Sequence, residues 1–265
     1  MVVSLILLLV GIFAGVSGSI VGLGGGFIVV PVLSLMFPEM IPAHIVGTSM
    51  AMLFFNSISS TVVYAKQKRI DYNAAVWFAV AAIPGSVIGA FASVHIAGKV
   101  FFTSFGIFLI LVSLFLVFKP KKQIQLPLKP TVHRSFIDAS GSKFEYAYNR
   151  TIGVSISFLV GFLSSLFGVG GGSLMVPTMA LLLSFPPHIA IATSMFNIFL
   201  SAIVSGGTHW FLDNIDWMKV LFLSPGAIIG GQIGARLAKR LPAKTILRIL
   251  SIVLIIVALR LIFQN

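Results

Sequence analysis

An apolar run that begins at residue 2 is broken by Gly22-Leu23-Gly24-Gly25-Gly26 and resumes as Phe27-Ile28-Val29-Val30-Pro31. The same interruption returns, 146 residues later, as Gly168-Val169-Gly170-Gly171-Gly172 ahead of Pro177. An interior glycine costs a helix about 1 kcal/mol relative to alanine. A cluster of them predicts that the helix stops, turns with bare backbone and starts again. Two readings compete. One is a pair of close helix-packing surfaces made of small residues; the other is a helix broken inside a membrane, with free N–H groups at the start of its second piece. The rest of the chain favours the second.

Of the 265 residues, 58% are hydrophobic and only 9% charged, against about 25% charged in an ordinary soluble domain. Such a chain belongs in a bilayer, its lipid partner. The net charge of +12 does not point to nucleic acid, because the basic residues sit in the junctions between apolar runs and not along one face. With no cysteine, disulfides, thiol catalysis and thiolate-bound metal are excluded. The first twenty residues lack a positive leading region and read as a retained segment, not a cleaved signal.

The order of segments repeats. A broken segment 2–36 is followed by spans 43–65, 73–94 and 100–118; a broken segment 151–183 is followed by spans 188–209, 217–236 and 243–263. Thr48-Ser49-Met50 matches Thr193-Ser194-Met195, Ile70-Asp71 matches Ile215-Asp216, and Pro84-Gly85 matches Pro225-Gly226 if a short insertion or deletion is allowed. This is an internal duplication. It divides the chain into an N-terminal transmembrane repeat (1–118), a basic linker (119–150) and a C-terminal transmembrane repeat (151–265). Turn residues inside 136–146 suggest a small β-hairpin in the linker.

Lysine and arginine orient the copies. Lys66, Lys68 and Arg69 follow the first full span, whereas the equivalent junction at Asp213–Asp216 carries Lys219 alone; the next junction reverses the bias, with Lys99 against Arg236, Lys239, Arg240 and Lys244. Equivalent loops fall on opposite sides, so the expected fold is an all-alpha polytopic membrane protein of two inverted repeats. Each repeat is a broken helical hairpin with a glycine turn plus three transmembrane helices. With the linker cytoplasmic, each broken segment enters and leaves by one side and the N-terminus lies outside the cytoplasmic membrane. The rival is an ordinary bundle in which 2–20 spans fully and 27–37 lies at the interface.

Paired broken elements in inverted repeats point to a transport site near the midplane. Gly24, Gly25, Gly26 and Gly170, Gly171, Gly172 would aim two sets of backbone N–H groups and two helix N-termini at one place, which suits an anion. Ser49, Asn56, Ser194 and Asn197 are the flanking neutral donors, with helix-to-helix hydrogen bonding as their alternative role. All six carboxylates, Glu39, Asp71, Asp138, Glu145, Asp213 and Asp216, lie at or between span ends. That leaves no carboxylate in the membrane core to attract a cation or a metal. The five histidines are scattered, and Arg248 is a further candidate near an inner vestibule. No nucleophile–base pair, cofactor site or phosphate loop emerges, so the chain reads as a transporter and not as an enzyme.

At the two glycine motifs with Pro31 and Pro177, each followed by Thr48-Ser49 or Thr193-Ser194, the chain resembles the sulfite exporter family of TauE and SafE type membrane proteins. The resemblance covers almost the whole length. It implies a secondary transporter moving sulfite, sulfoacetate or a related sulfur-containing organic anion, by export. The alternatives are an uptake permease for another small anion, or a membrane enzyme or receptor. Coupling is expected either to the membrane potential or to protons.

Overall fold

The structure, a computed structural model, describes residues 2–117 and 129–238 together with Ile255, Ala258 and Leu259. The basic stretch 119–128 and, those three positions apart, the span 243–263 with Arg248 and Arg260 lie outside the described residues. The helices are α1 (Val2–Val21), α2 (Gly26–Met36), α3 (Pro42–Lys66), α4 (Tyr72–His95), α5 (Gly98–Val117), α6 (Arg150–Phe167), α7 (Gly172–Pro177), α8 (Pro187–Phe211) and α9 (Trp217–Leu237). A π-helical turn, Thr178–Leu182, extends α7. Strands β1 (Val132–Ile137) and β2 (Lys143–Tyr148) form the one hairpin among the described residues. Proline occupies the first position of α3 and α8, where its missing N–H costs nothing. Asp71, Asn149 and Asp216 cap α4, α6 and α9, accepting from the N–H groups of Ala74, Ile152 and Lys219 at 3.0, 3.2 and 3.1 Å. Each such cap is worth about 1 kcal/mol.

Six of these helices, α1, α3, α4, α6, α8 and α9, are long and apolar enough to cross a membrane. The chain is an all-alpha polytopic membrane protein. The two first arms, α1 and α6, are themselves long enough to cross; at about 1.5 Å per residue α1 reaches about 30 Å.

Contacts exchange between the halves. α1 packs along α9, with Gly226, Gly230 and Gly234 against the backbone of Leu8, Ile12 and Val16; α6 packs along α4, with Gly85 and Gly89 against that of Phe158 and Phe162. At these glycines a Cβ would overlap a carbonyl oxygen of the partner helix. Gly85 pairs with Gly230, and Gly89 with Gly234, at the offset of 145 that also relates Asp71 to Asp216 and Ser49 to Ser194. This corrects the alignment of Pro84-Gly85 with Pro225-Gly226: no insertion or deletion is needed, and the two prolines are not equivalent. The carbonyl facing the glycine is what the packing repeats, and the proline position is free to drift by a turn.

The broken units each begin and end at one end of a helix. Leu8, Ile12 and Val16 meet Gly226, Gly230 and Gly234 in turn and Gly11 meets Leu223, so α1 runs parallel to α9 and begins at its start, where Lys219 Nζ also sits 4.4 Å above the Phe37 ring. Arg150 lies 5.1 Å above the Trp77 ring and Phe185 packs 6.5 Å from Phe78, both near the start of α4. α3 runs parallel to α9, with Ser59 Oγ donating to the Ile228 carbonyl at 2.7 Å and Gln67 Nε2 to that of Ala235 at 3.1 Å. Because α4 folds back after α3, the starts of α4 and α9 lie at opposite ends of the bundle. The broken units open towards those opposite ends.

The hairpin closes one of them. In its register Val132 faces Tyr148 and Ile137 faces Lys143. Tyr146 and Tyr148 hold Phe185 at centroid distances of 4.5 and 4.9 Å. Two ion pairs cross between the hairpin and the α3–α4 junction: Arg69 of the junction to Asp138 of the hairpin at 2.8 Å, and Arg134 of the hairpin to Asp71 of the junction at 3.1 Å. Tyr146 OH donates to Asp71 at 2.7 Å. Burial alone would raise the Asp138 pKa, but hydrogen bonds from the Ser140 side chain, from Arg69 and from the backbone N–H groups of Ser140 and Ser142 outweigh it and hold the carboxyl well below the usual range.

Candidate functional site: two glycine turns in contact

The two glycine turns meet inside the bundle. At Gly25 (φ 99°) and Gly170 (φ 78°) the backbone is left-handed, a conformation that glycine adopts without a Cβ penalty. A Cβ at Gly26 would overlap the Gly168 carbonyl oxygen, and one at Gly172 the Gly22 carbonyl oxygen. Backbone therefore packs on backbone across the two halves. Among the described residues, the N–H groups of Gly25, Gly26, Gly171 and Gly172 take no acceptor, as expected of the first turn of a helix.

The repeated Thr-Ser pair is a latch between halves. Thr193 Oγ1 accepts from the Asp71 N–H and Thr48 Oγ1 from the Asp216 N–H, both at 3.0 Å. Ser49 Oγ donates to the Gly168 carbonyl at 2.7 Å and Ser194 Oγ to the Gly22 carbonyl at 2.9 Å. The two serines are thus brought to the turns, with their O–H groups already spent on the glycine carbonyls. Asn56 is brought there too: Nδ2 donates to the Gly24 carbonyl at 2.6 Å, and Oδ1 accepts from Ser19 Oγ at 3.2 Å. Asn197 has a different partner. Its Oδ1 accepts from Ser201 of its own helix at 3.2 Å, and at the 145-residue offset its equivalent is Met52, whereas that of Asn56 is Ser201.

Two residues that the sequence does not single out cover the turns. Leu53 of α3 packs against Gly24, Gly26 and Gly170, and its equivalent Ile198 of α8 against Gly24 and Gly172. Both are fully buried or nearly so, so the crossing is closed by apolar side chains. Nothing marks one leucine among many in an apolar helix. At the hairpin end of α3 and α9 a cavity of about 380 Å³ is lined by Val62, Val63, Lys66, Gln67, Gln232 and Arg236, a basic mouth that attracts anions. Among the described residues no group of histidines and carboxylates is placed to hold a metal ion.

The chain is similar over residues 7–261 to the family described as Sulfite exporter TauE/SafE. It is 41% identical to the probable membrane transporter protein YunE of Bacillus subtilis, covering 98% of this chain and 97% of that protein. It is 28% identical to a probable membrane transporter protein of Methanocaldococcus jannaschii, covering 94% and 91%. No solved structure matches. The match over nearly the whole length, both glycine turns included, makes this chain a membrane transporter of the sulfite exporter TauE/SafE family.

Proposed function

We propose that the chain is a secondary transporter that exports sulfite, sulfoacetate or a related sulfur-containing oxyanion across the cytoplasmic membrane, at a site formed by the two glycine turns. The observation that carries this reading is their contact: two sets of backbone N–H groups without acceptors, one from each half, lie on turns that pack together, with Ser49, Ser194 and Asn56 hydrogen-bonded to the glycine carbonyls. An anion seated there takes the donors, and the absence of side chains lets several oxygens approach at once. Leu53 and Ile198 close this conformation and have to move for the anion to enter. Exchange of contacts between halves is what an inverted pair needs in order to rock between two openings around a fixed site. The hairpin end, with the basic mouth, is taken as cytoplasmic, so an anion collected there leaves down the inside-negative potential, worth about 2.3 kcal/mol per charge per 100 mV.

The test is flux in sealed vesicles containing only the purified protein. Sulfite or sulfoacetate should move without soluble partners, and the initial rate should change when the potential is clamped at equal pH on both sides. Indifference to potential together with dependence on the pH gradient would remove the uniport version. Chemical turnover of the anion in detergent, with no vectorial movement in vesicles, would favour an enzyme.

A further inference from the structure

One buried imidazole takes no part in the proposed anion site. His209 lies in the last turn of α8 with no solvent exposure. Its Nε2 is 3.4 Å from the Ser165 carbonyl oxygen, and its Nδ1 has no hydrogen-bond partner. A carbonyl oxygen only accepts, so Nε2 carries the hydrogen and Nδ1 presents a bare lone pair. Asn214, whose backbone N–H bonds the His209 carbonyl at 2.9 Å, has a buried Nδ2 that is likewise unpartnered. An orphan acceptor and an orphan donor thus share one turn, an arrangement that costs stability unless it serves something.

The other half contains the same construction with one change. At the 145-residue offset His209 corresponds to Tyr64, whose OH donates to the Ser19 carbonyl at 2.7 Å. Ser19 Oγ meets Ser60 Oγ at 2.6 Å; Ser165 Oγ meets Ser205 Oγ at 2.7 Å. Where one half has a phenol with a single oxygen, the other has an imidazole whose second ring nitrogen can take a proton. We propose that His209 is the proton-binding residue of the transport cycle. Nδ1 takes a proton from water at its end of the bundle while Nε2–H stays on Ser165, and the resulting charge is coupled to anion occupancy of the glycine turn that begins three residues further along, at Gly168.

The coupling follows from charge. A proton on Nδ1 and an anion at Gly171 and Gly172 attract each other, so each raises the affinity for the other. Other ionisable groups do not substitute. The single ionisable residue of α6, Arg150, is at its opposite end; the turn after α8 carries Asp213 and Asp216, the latter tied to Lys219; the near ends of α3 and α5 carry His44 and Lys99, and the α2–α3 turn Glu39; the near end of α4 carries His95, exposed, with Nδ1 2.9 Å from the Phe91 carbonyl oxygen of its own helix. None of them is paired with His209.

This inference rests on the transport reading for its anion, and the test separates the two. Histidine labelled with ¹⁵N is followed by NMR in nanodiscs from about pH 8 to about pH 5, across the range in which imidazole ordinarily titrates, with and without sulfoacetate. Wild type is compared with His209→Tyr, which copies the Tyr64 arrangement, and with His209→Gln, which keeps a neutral donor to Ser165 should the tyrosine variant fail to fold. One signal, absent from the variants, should pass from the Nε2–H form to the doubly protonated form, and sulfoacetate should move its midpoint to higher pH. In vesicles the ratio of flux at low to high pH should be about fivefold or more in wild type and lose its pH dependence in the variants. A His209 signal that stays neutral throughout, or variants that keep the wild-type flux ratio, would overturn the inference. Absence of any anion flux in wild type would sink the transport reading, and the NMR titration alone would then decide whether His209 binds a proton.

Discussion

Gly171 differs from its neighbours in what a methyl group there would meet. A Cβ at Gly171 finds only Val160 Cγ1, at 3.2 Å, on a right-handed backbone, whereas one at Gly25 meets the Ala14 carbonyl oxygen at 2.5 Å on a left-handed backbone. Gly171→Ala should therefore fold and insert, while Gly25→Ala, its counterpart in the other motif, should fail in expression and thermal unfolding assays. The same scale explains the threonines. Thr48→Val or Thr193→Val keeps the shape but leaves the Asp216 or Asp71 N–H buried without an acceptor, an expected loss of about 1–3 kcal/mol in denaturant unfolding. An equal stability of the valine variants would remove the latch. Leu53→Ala should loosen the cover over the turns and raise passive anion leak through reconstituted protein. These contacts were out of reach of the sequence for a plain reason. Thr48, Ser49, Gly22 and Gly168 are visible as repeated residues, but only the fold shows that each motif bonds the other half and not its own.

The hairpin is the element that breaks the two-fold relation. Its turn residues were legible at Ser140-Gly141-Ser142, yet its strands run from Val132 to Tyr148, beyond the turn region, because Phe136, Tyr146 and Tyr148 have Phe185 and the helix ends to cover. The linker's charges were read only as an orientation signal. Two of the basic residues at this end, Arg69 and Arg134, are instead consumed in crossed ion pairs with Asp138 and Asp71. Arg69→Ala would leave Asp138 buried and unpaired, at a cost of about 3–5 kcal/mol. It should release the hairpin locally, seen as lost amide-exchange protection over 132–148 with the helices still protected. Protection of the hairpin unaffected by this change would show that the aromatic contacts suffice. Asp138 also sets an acid limit. Its folded pKa lies below the unfolded value of about 3.9, so its contribution to docking is complete above that value and is lost as pH falls through the lower, folded one. Exchange protection should hold from neutrality to about pH 4.5 and fail only in stronger acid; loss of docking between pH 5 and 7 would contradict this assignment.

In the molecule as a whole, two broken helical units, opening towards opposite ends of the bundle, bring together the glycine turns proposed as the anion site. The periodic recurrence of glycine, Thr-Ser and Ile-Asp made the duplication legible, and the apolar composition made the membrane legible. Equivalence at the level of side chains was less so. Asn56 and Asn197 both follow a Thr-Ser pair on the same kind of span, but they lie seven and three residues beyond its serine, the constant offset sets Asn56 against Ser201, and Asn197 bonds within its own helix. The membrane orientation has its own check: labels at Glu39 and near the N-terminus should react from one side, and labels at Arg150 and Pro187 from the other. Opposite-side labelling of the first pair would restore a plain bundle. The most direct test of the central claim is the binding of sulfite and sulfoacetate to folded, inserted wild-type protein and to Gly171→Ala, with chloride and a small carboxylate as controls. Sulfur-oxyanion affinity should fall by about tenfold or more, because one methyl group obstructs backbone donors that no side chain replaces, while stability changes little. Unchanged affinity in a folded Gly171→Ala would contradict it and leave the glycine turns as packing alone.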